Sequence, residues 1–239
     1  MQRDTGVRSL VKAVSWRIMG TMATAALVFI FTHKFALALW VGALEFFSKI
    51  ILFWMHERIW DRVSIGKKVP TPAVLWFTGL SKSGKTAISK QVADDLVKRG
   101  VKVEYLNGET VRDIFPDTGF SKPEREEHVK RVGYLASRLE KNGVFVVASF
   151  VSPYEDSRRF VQGLCANFVE VHVATPLAEC ERRDQTGLYA RAHRGELHHV
   201  AGVDEPYEVP PKPDVTLDIS AMTPAEASAR VMQRLNHHF

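Results

Sequence analysis

The stretch Gly79-Leu80-Ser81-Lys82-Ser83-Gly84-Lys85-Thr86 decides how this chain is read. It fits G-x-x-x-x-G-K-[ST], a turn whose glycines let backbone N–H groups face a phosphate with no Cβ in the way. Both flanks fit the motif. Ala73 to Thr78 is an apolar, β-prone run that reads as a buried strand. Ala87 to Arg99 places Ile88, Val92, Leu96 and Val97 at helical spacing. Strand, glycine-rich turn and helix bring a phosphate to a helix N-terminus, where the backbone supplies partial positive charge. Lys85 is placed to reach the β- and γ-phosphates of a nucleotide such as ATP, and Thr86 to put its hydroxyl on Mg2+.

Moving outward, Val101 to Leu106 reads as a second strand, and Asn107-Gly108-Glu109 stands at its end, where open α/β sheets place ligands. Glu109 is then a carboxylate beside the phosphate site, able to hold Mg2+ through water or to take a proton from an acceptor hydroxyl. Pro123 to Asn142 has helical character, Gly143 to Phe150 reads as a central strand, and Phe168 to Ala174 as another. Arg182 and Arg183 are candidates for a lid over the transferred phosphoryl group. His193, His198 and His199 cluster in a turn without a neighbouring set of ligands that would define a metal site. Val215 to Ile219 is the last strand, and Pro224 to Leu235 the last helix. Strands that alternate with helices predict an α/β fold with a parallel, doubly wound sheet. The central strand ends in Ser149-Phe150 with no acidic residue, which favours a small-molecule kinase over a motor or switch.

The net charge of +5 over 239 residues is unevenly spread. Residues 1–69 hold ten Lys/Arg against four Asp/Glu, and the remainder holds 22 against 23. The basic excess therefore lies outside the phosphate-loop region, and no nucleic-acid partner is indicated. Two apolar runs explain the N-terminal charge differently. Ile18 to Phe31 is flanked by Lys12 and Arg17, and after Thr32-His33-Lys34 comes the longer run Phe35 to Trp54. They predict a two-helix transmembrane hairpin with spans over 9–31 and 35–56, and thus a lipid bilayer as partner. Glu45 and Lys49 are four apart and can pair on one helical face. Basic residues precede the first span and follow the second, while Lys34 alone sits between, so the positive-inside rule puts both ends in the cytoplasm of an inner-membrane protein. The expected organisation is a membrane domain over 1–63, a linker over 64–72 and a kinase domain over 73–239. Two cysteines, Cys165 and Cys180, give neither a zinc site nor a disulfide framework.

Beyond the phosphate loop, Leu106-Asn-Gly-Glu, Val111-Arg112, Gly119-Phe120-Ser121, Val151-Ser-Pro153, Thr175-Pro-Leu177, Arg183-Asp184, Gly187-Leu-Tyr189 and Pro206-Tyr-Glu-Val-Pro210 follow in an order that resembles adenylylsulfate kinase. The resemblance runs from about Trp76 to Ile219. Val11–Gly66 separately resembles a small two-helix bacterial membrane domain of unknown function. The first resemblance implies MgATP-dependent phosphorylation of the 3′-hydroxyl of adenosine 5′-phosphosulfate. It gives Gly79, Leu80, Ser81, Lys82, Ser83, Gly84, Lys85, Thr86, Arg182 and Arg183 to the ATP side. Glu109 takes the place of the family's catalytic aspartate. Arg112, Phe120, Arg125, Val151, Ser152 and Leu188 go to the acceptor, with Phe120 stacked on its adenine and Ser152 near the transferred phosphate. A second copy of the chain is a candidate partner. The departures are Asn107 and Glu109 where the family has Asp-Gly-Asp, His128 for an asparagine, Thr186 for a lysine, Val200 for a phenylalanine, all on the acceptor side, and Lys82 for a glycine of the phosphate loop. They leave open a different anionic or nucleotide-like acceptor, or an ATP-binding scaffold without turnover, with the altered pocket expected around Phe120, His128, Thr186 and Val200.

Overall fold

A helix that is apolar on all sides has no polar face to give to water. The first two helices, α1 (Gly6–Thr32) and α2 (Phe35–Arg62), are of that kind: Met22, Trp40 and Leu44 are 68%, 76% and 73% exposed. The structure, a computed structural model, describes residues 6–62, 70–115, 118–220 and 222–239, and the chain falls into two compact units, 1–67 and 68–239. In the first unit His33, with φ 50, turns the chain between the helices. Among the described residues α2 holds the one stretch long and apolar enough to cross a membrane, Phe35–Met55; its counterpart Arg17–Ile30 in α1 is shorter. The Glu45–Lys49 pair forms, and Thr24 of α1 joins it by donating to Glu45 Oε1 at 3.0 Å. A Cβ on Gly42 would lie 3.4 Å from that of Ala25, so the glycine lets the two backbones approach.

The second unit follows from its alternation. Short apolar strands separated by helices need crossovers, and crossovers give parallel pairing. Among the described residues five strands, β1 (Val74–Thr78), β2 (Val103–Asn107), β3 (Phe145–Ser149), β4 (Phe168–Val173) and β5 (Val215–Leu217), pair in parallel in the order β2-β3-β1-β4-β5. β1 and β3 are buried at every position, as central strands covered on both faces must be. The helices are α3 (Lys85–Lys98), α4 (Gly108–Ile114), α5 (Lys122–Lys141), α6 (Glu155–Leu164), α7 (Leu177–Arg182), α8 (Leu188–His193) and α9 (Pro224–Arg234). One face of the sheet packs Leu75, Phe77 and Val171 against Ile88, Val92 and Leu96 of α3 and Val231 of α9. The other packs Val74, Trp76 and Val146 against Val132 and Ala136 of α5 and Val161 of α6. The sheet is therefore wound on both faces.

No helix is expected from the sequence over α4, α6 or α8, and the structure has all three. Each is short. α4 begins where Asn107 Oδ1 caps it by accepting from the Thr110 N–H at 2.7 Å. At the other end of the strands, before β1, the Thr71 N–H donates to the His238 carbonyl at 2.8 Å. The Phe239 ring stacks on Phe145 with centroids 5.6 Å apart.

Candidate active site

The phosphate loop leaves β1 through Gly79, whose φ of 152 and absent side chain are both required: a Cβ there would lie 2.6 Å from the Val173 carbonyl oxygen. The loop re-enters helix at Lys85 after Gly84, also at positive φ. Lys85 is buried, and its ammonium donates to Gly79 O at 2.9 Å, Leu80 O at 2.6 Å and Ser83 Oγ at 3.3 Å. Burial pushes it down to a pKa of about 7. The lysine is thus folded back into its own loop. Thr86 sits in the first turn of α3 and lines a cavity of about 470 Å³.

That cavity opens at the C-terminal ends of β2, β3 and β1. Ser81, Lys85 and Thr86 form one side, and Asn107, Gly108, Ser149 and Phe150 the floor. Arg112, Phe120, Arg125 and His128 also line it, as do Val151, Ser152, Leu188, Val200 and Ala201. Phe120 is half-exposed, with the Arg112 guanidinium 4.2 Å and that of Arg125 5.3 Å from its ring centroid. Arg112 donates to the carbonyls of Thr118 and Gly119, and Arg125 to those of Phe120 and His199. These two cations order the loop before α5 and the segment over the cavity. A capping box of Ser121 with Glu124 starts α5 and sets Arg125 in its first turn. Ser152 is buried at φ 36; its Oγ accepts the Trp76 indole N–H at 3.0 Å, which leaves its own proton to donate.

His128 is the odd member. It is 2% exposed, and neither ring nitrogen has a hydrogen-bond partner among the described residues. Phe115 and Phe150 meet its ring edge-on. Burial, with Arg112 and Arg131 nearby, pushes its pKa down to about 4, so the imidazole is neutral. Buried polar atoms are rarely left unmatched, and these belong to a residue that lines the cavity.

Arg182 and Arg183 are not among the residues that line the cavity: Arg182 makes two hydrogen bonds to Glu179, and Arg183 one to Glu179 and one to Ile219 O, with its guanidinium beside the phosphate loop, 4.0 Å from where a Cβ on Gly84 would stand. Thr186 is also off the cavity wall, its N–H and hydroxyl both donating to Asp184 Oδ1. Glu109 falls in the first turn of α4, next to the cavity floor, but its side chain lies outside the described residues. The histidines do not gather. His193 pairs with Glu181 and His199 with Glu205, while His198 approaches Asp204. Among the described residues no cluster of three or more His, Cys, Asp or Glu is arranged to hold a metal.

A phosphate loop facing an arginine-flanked cavity across the top of a parallel sheet is the arrangement of the small P-loop kinases. Residues 71–218 match the family described as Adenylylsulphate kinase, and the chain belongs to that family. It is an ATP-dependent phosphotransferase of the adenylyl-sulfate kinase type. Residues 10–61 match a second family, described only as predicted membrane proteins. The adenylyl-sulfate kinase of a Picosynechococcus strain is 43% identical over 162 residues, covering 67% of this chain and 92% of that one. That of a Synechococcus strain is 42% identical over 165 residues, 69% of this chain and 94% of that one. The solved structure of a Mycobacterium tuberculosis APS kinase in complex with AMPPNP and APS is similar with a TM-score of 0.67 and 36% identity, over 70% of this chain and 98% of that one.

Proposed function

We propose that the kinase domain, 73–239, transfers the γ-phosphoryl group of MgATP to the 3′-hydroxyl of adenylylsulfate, and that residues 1–63 tether it by two passes through the inner membrane. The observation that carries the reading is the cavity shared by Lys85 and Thr86 on one side and Arg112, Phe120 and Arg125 on the other. A triphosphate on the loop and an anionic adenine nucleotide between the arginines would meet there. Lys85 regains its full charge beside the phosphates and neutralises the γ-phosphoryl group in transit. Arg112 and Arg125 bind the acceptor's acidic groups, Phe120 stacks on its base, and Val151 and Leu188 pack beside it. Ser152 donates its free hydroxyl proton toward the transferred group. Glu109, the residue after Gly108 of the floor, takes the proton of the acceptor hydroxyl. The donors for magnesium are hard oxygens, the Thr86 hydroxyl and the Glu109 carboxylate, which suits an ion that keeps part of its water shell. Held by these two residues, the metal ion would supply Lewis-acid charge stabilisation to the phosphoryl transfer.

Purified full-length protein in detergent, supplied with γ-labelled ATP and adenylylsulfate, is expected to yield labelled 3′-phosphoadenylylsulfate. Nucleotide binding without that product would overturn the acceptor assignment. The unpartnered His128 and the aliphatic Val200 in the same cavity lining favour one second reading, a different anionic acceptor with a hydrogen-bonding group that reaches His128. Arg3, Arg8, Lys12 and Arg17 toward the N-terminal end of the first apolar run, Arg58, Arg62, Lys67 and Lys68 beyond the second, and the single Lys34 between support cytoplasmic placement of both ends.

A further inference from the structure

Among the described residues a second cavity, of about 610 Å³, lies between α1 and α2. Phe46, Leu52 and Phe53 give it apolar walls, and Arg17, Thr21 and Lys49 are its polar members. Gly20 lines it too and keeps it open, since nothing lies within 4 Å of the place a Cβ would take there.

The two cations stand level with each other across the helix pair. The Arg17 guanidinium donates to the Lys49 carbonyl at 3.5 Å and lies 5.0 Å from the centroid of the Phe53 ring. Arg17 opens the apolar stretch of α1, and Lys49 is less than two helical turns, about 9 Å, inside Met55 at the end of the apolar stretch of α2. A cation at that depth in a bilayer needs an anion or water beside it. The charges of the hairpin do not balance. Glu45 is the single acid in the two apolar stretches, against Arg17 and Lys49. It pairs with Lys49 and accepts from the Thr24 hydroxyl at 3.0 Å, and it is not part of the cavity wall. One positive charge is therefore left over where the cavity is.

We infer that this cavity is a binding site for an anionic phospholipid of the cytoplasmic leaflet, its phosphodiester held by Arg17 and Lys49 and an acyl chain laid along Phe46, Leu52 and Phe53. A phosphodiester carries a single negative charge, which matches the excess, and the guanidinium fork suits two of its oxygens. A basic pocket between helices on the cytoplasmic side is a place where such headgroups bind. The apolar walls favour a lipid over free phosphate, and a lipid reaches the cavity from within the bilayer. The inference rests on the reading of residues 1–63 as a two-pass hairpin with both ends in the cytoplasm.

The test titrates the full chain, stripped of lipid in detergent micelles, with phosphatidylglycerol and with phosphatidylcholine, and counts bound lipid by native mass spectrometry. The parent is expected to hold one phosphatidylglycerol about tenfold more tightly than phosphatidylcholine, as one charge-assisted contact gives. Arg17→Gln should lose that preference by removing the charge, and Gly20→Leu by filling the space. Arg17→Lys and Lys34→Gln, the latter at the far end of the hairpin, should keep most of it. Helix content by circular dichroism equal to that of the parent separates these losses from unfolding. Equal affinity of the parent for the two lipids overturns the site, as does an Arg17→Gln protein that binds like the parent. Displacement of phosphatidylglycerol by millimolar inorganic phosphate overturns the lipid as occupant. So does a change from dimer to monomer in Gly20→Leu by light scattering, which gives the cavity to a second copy of the chain. A chain that stays with the membrane through an alkaline carbonate wash and shows no lipid preference overturns the site alone. One that leaves the membrane in that wash overturns the hairpin reading as well.

Discussion

Lys85 is held at a pKa of about 7 by burial, against an ordinary value of 10.5. A triphosphate beside it restores the ordinary value, so at pH 8 nucleotide binding should draw close to one proton from solution. Calorimetry of MgAMPPNP binding in buffers of different ionisation enthalpy reads that uptake, and it should fade as the pH falls below 7. Lys85→Ala removes the charge outright, and a loss of about 10²- to 10³-fold in kcat is expected with the fold retained. His128 titrates in the opposite window. Its folded pKa is about 4 and its ordinary value 6.5. Between those values the unfolded chain binds a proton that the folded one refuses, so stability falls as pH falls from 6.5 to 4. That fall is on the order of 2 to 3 kcal/mol. It should be missing from His128→Asn in denaturant titrations across this range, while the neutral plateau above pH 6.5 still shows a folded protein. Lys85 is legible in the sequence because its motif is local. Nothing local shows that its ammonium folds back onto Gly79 and Leu80, or that His128 is left unpartnered, since both depend on what the tertiary fold brings near.

At the scale of the element, the junction of β1 with the phosphate loop is the most exacting point of the fold. Gly79→Ala would drive a Cβ onto the Val173 carbonyl of β4 in a backbone region closed to alanine. A cost of about 2 to 4 kcal/mol is expected, measured by chemical denaturation, together with loss of nucleotide binding. The strands flanking this junction could be read from the sequence because β1 and β3 are continuous apolar runs buried on both faces. The short helices could not. α4 owes its start to the Asn107 cap, and Asn107 by residue type reads as a lost carboxylate before it reads as a cap. α7 illustrates the same limit at its end. Arg182 and Arg183 both pair with Glu179 on the same helix, whose own pKa they drive well down, and Arg183 also stands beside Gly84 of the phosphate loop. Thr186 is withdrawn from the cavity by Asp184 in the same way. Local pairing of charges and hydroxyls is what residue spacing alone does not resolve.

At the scale of the molecule, the kinase unit closes a core on each face of its sheet. The Picosynechococcus relative aligns with this part over 92% of its own length. Residues 70–239 alone are therefore expected to fold, to partition with the soluble fraction, and to transfer phosphate at a rate within about threefold of the full chain. A folded but inactive fragment would give the N-terminal helices a part in catalysis. The two-unit organisation was legible from the contrast between an apolar, basic N-terminus and a charge-balanced remainder. The length of the spans was less so: Arg17–Ile30 stops short of what the expected boundaries over 9–31 imply.

The clasp between Thr71 and His238 closes the sheet at the end opposite the cavity. Between them lies the five-residue β1, about 16 Å of extended chain. A fluorescent reporter joined after Phe239 would therefore emerge beside the point where the linker enters the kinase, with the mouth of the pocket left unobstructed. The working enzyme can be tagged there and followed in cells without its catalytic opening being shaded by the tag.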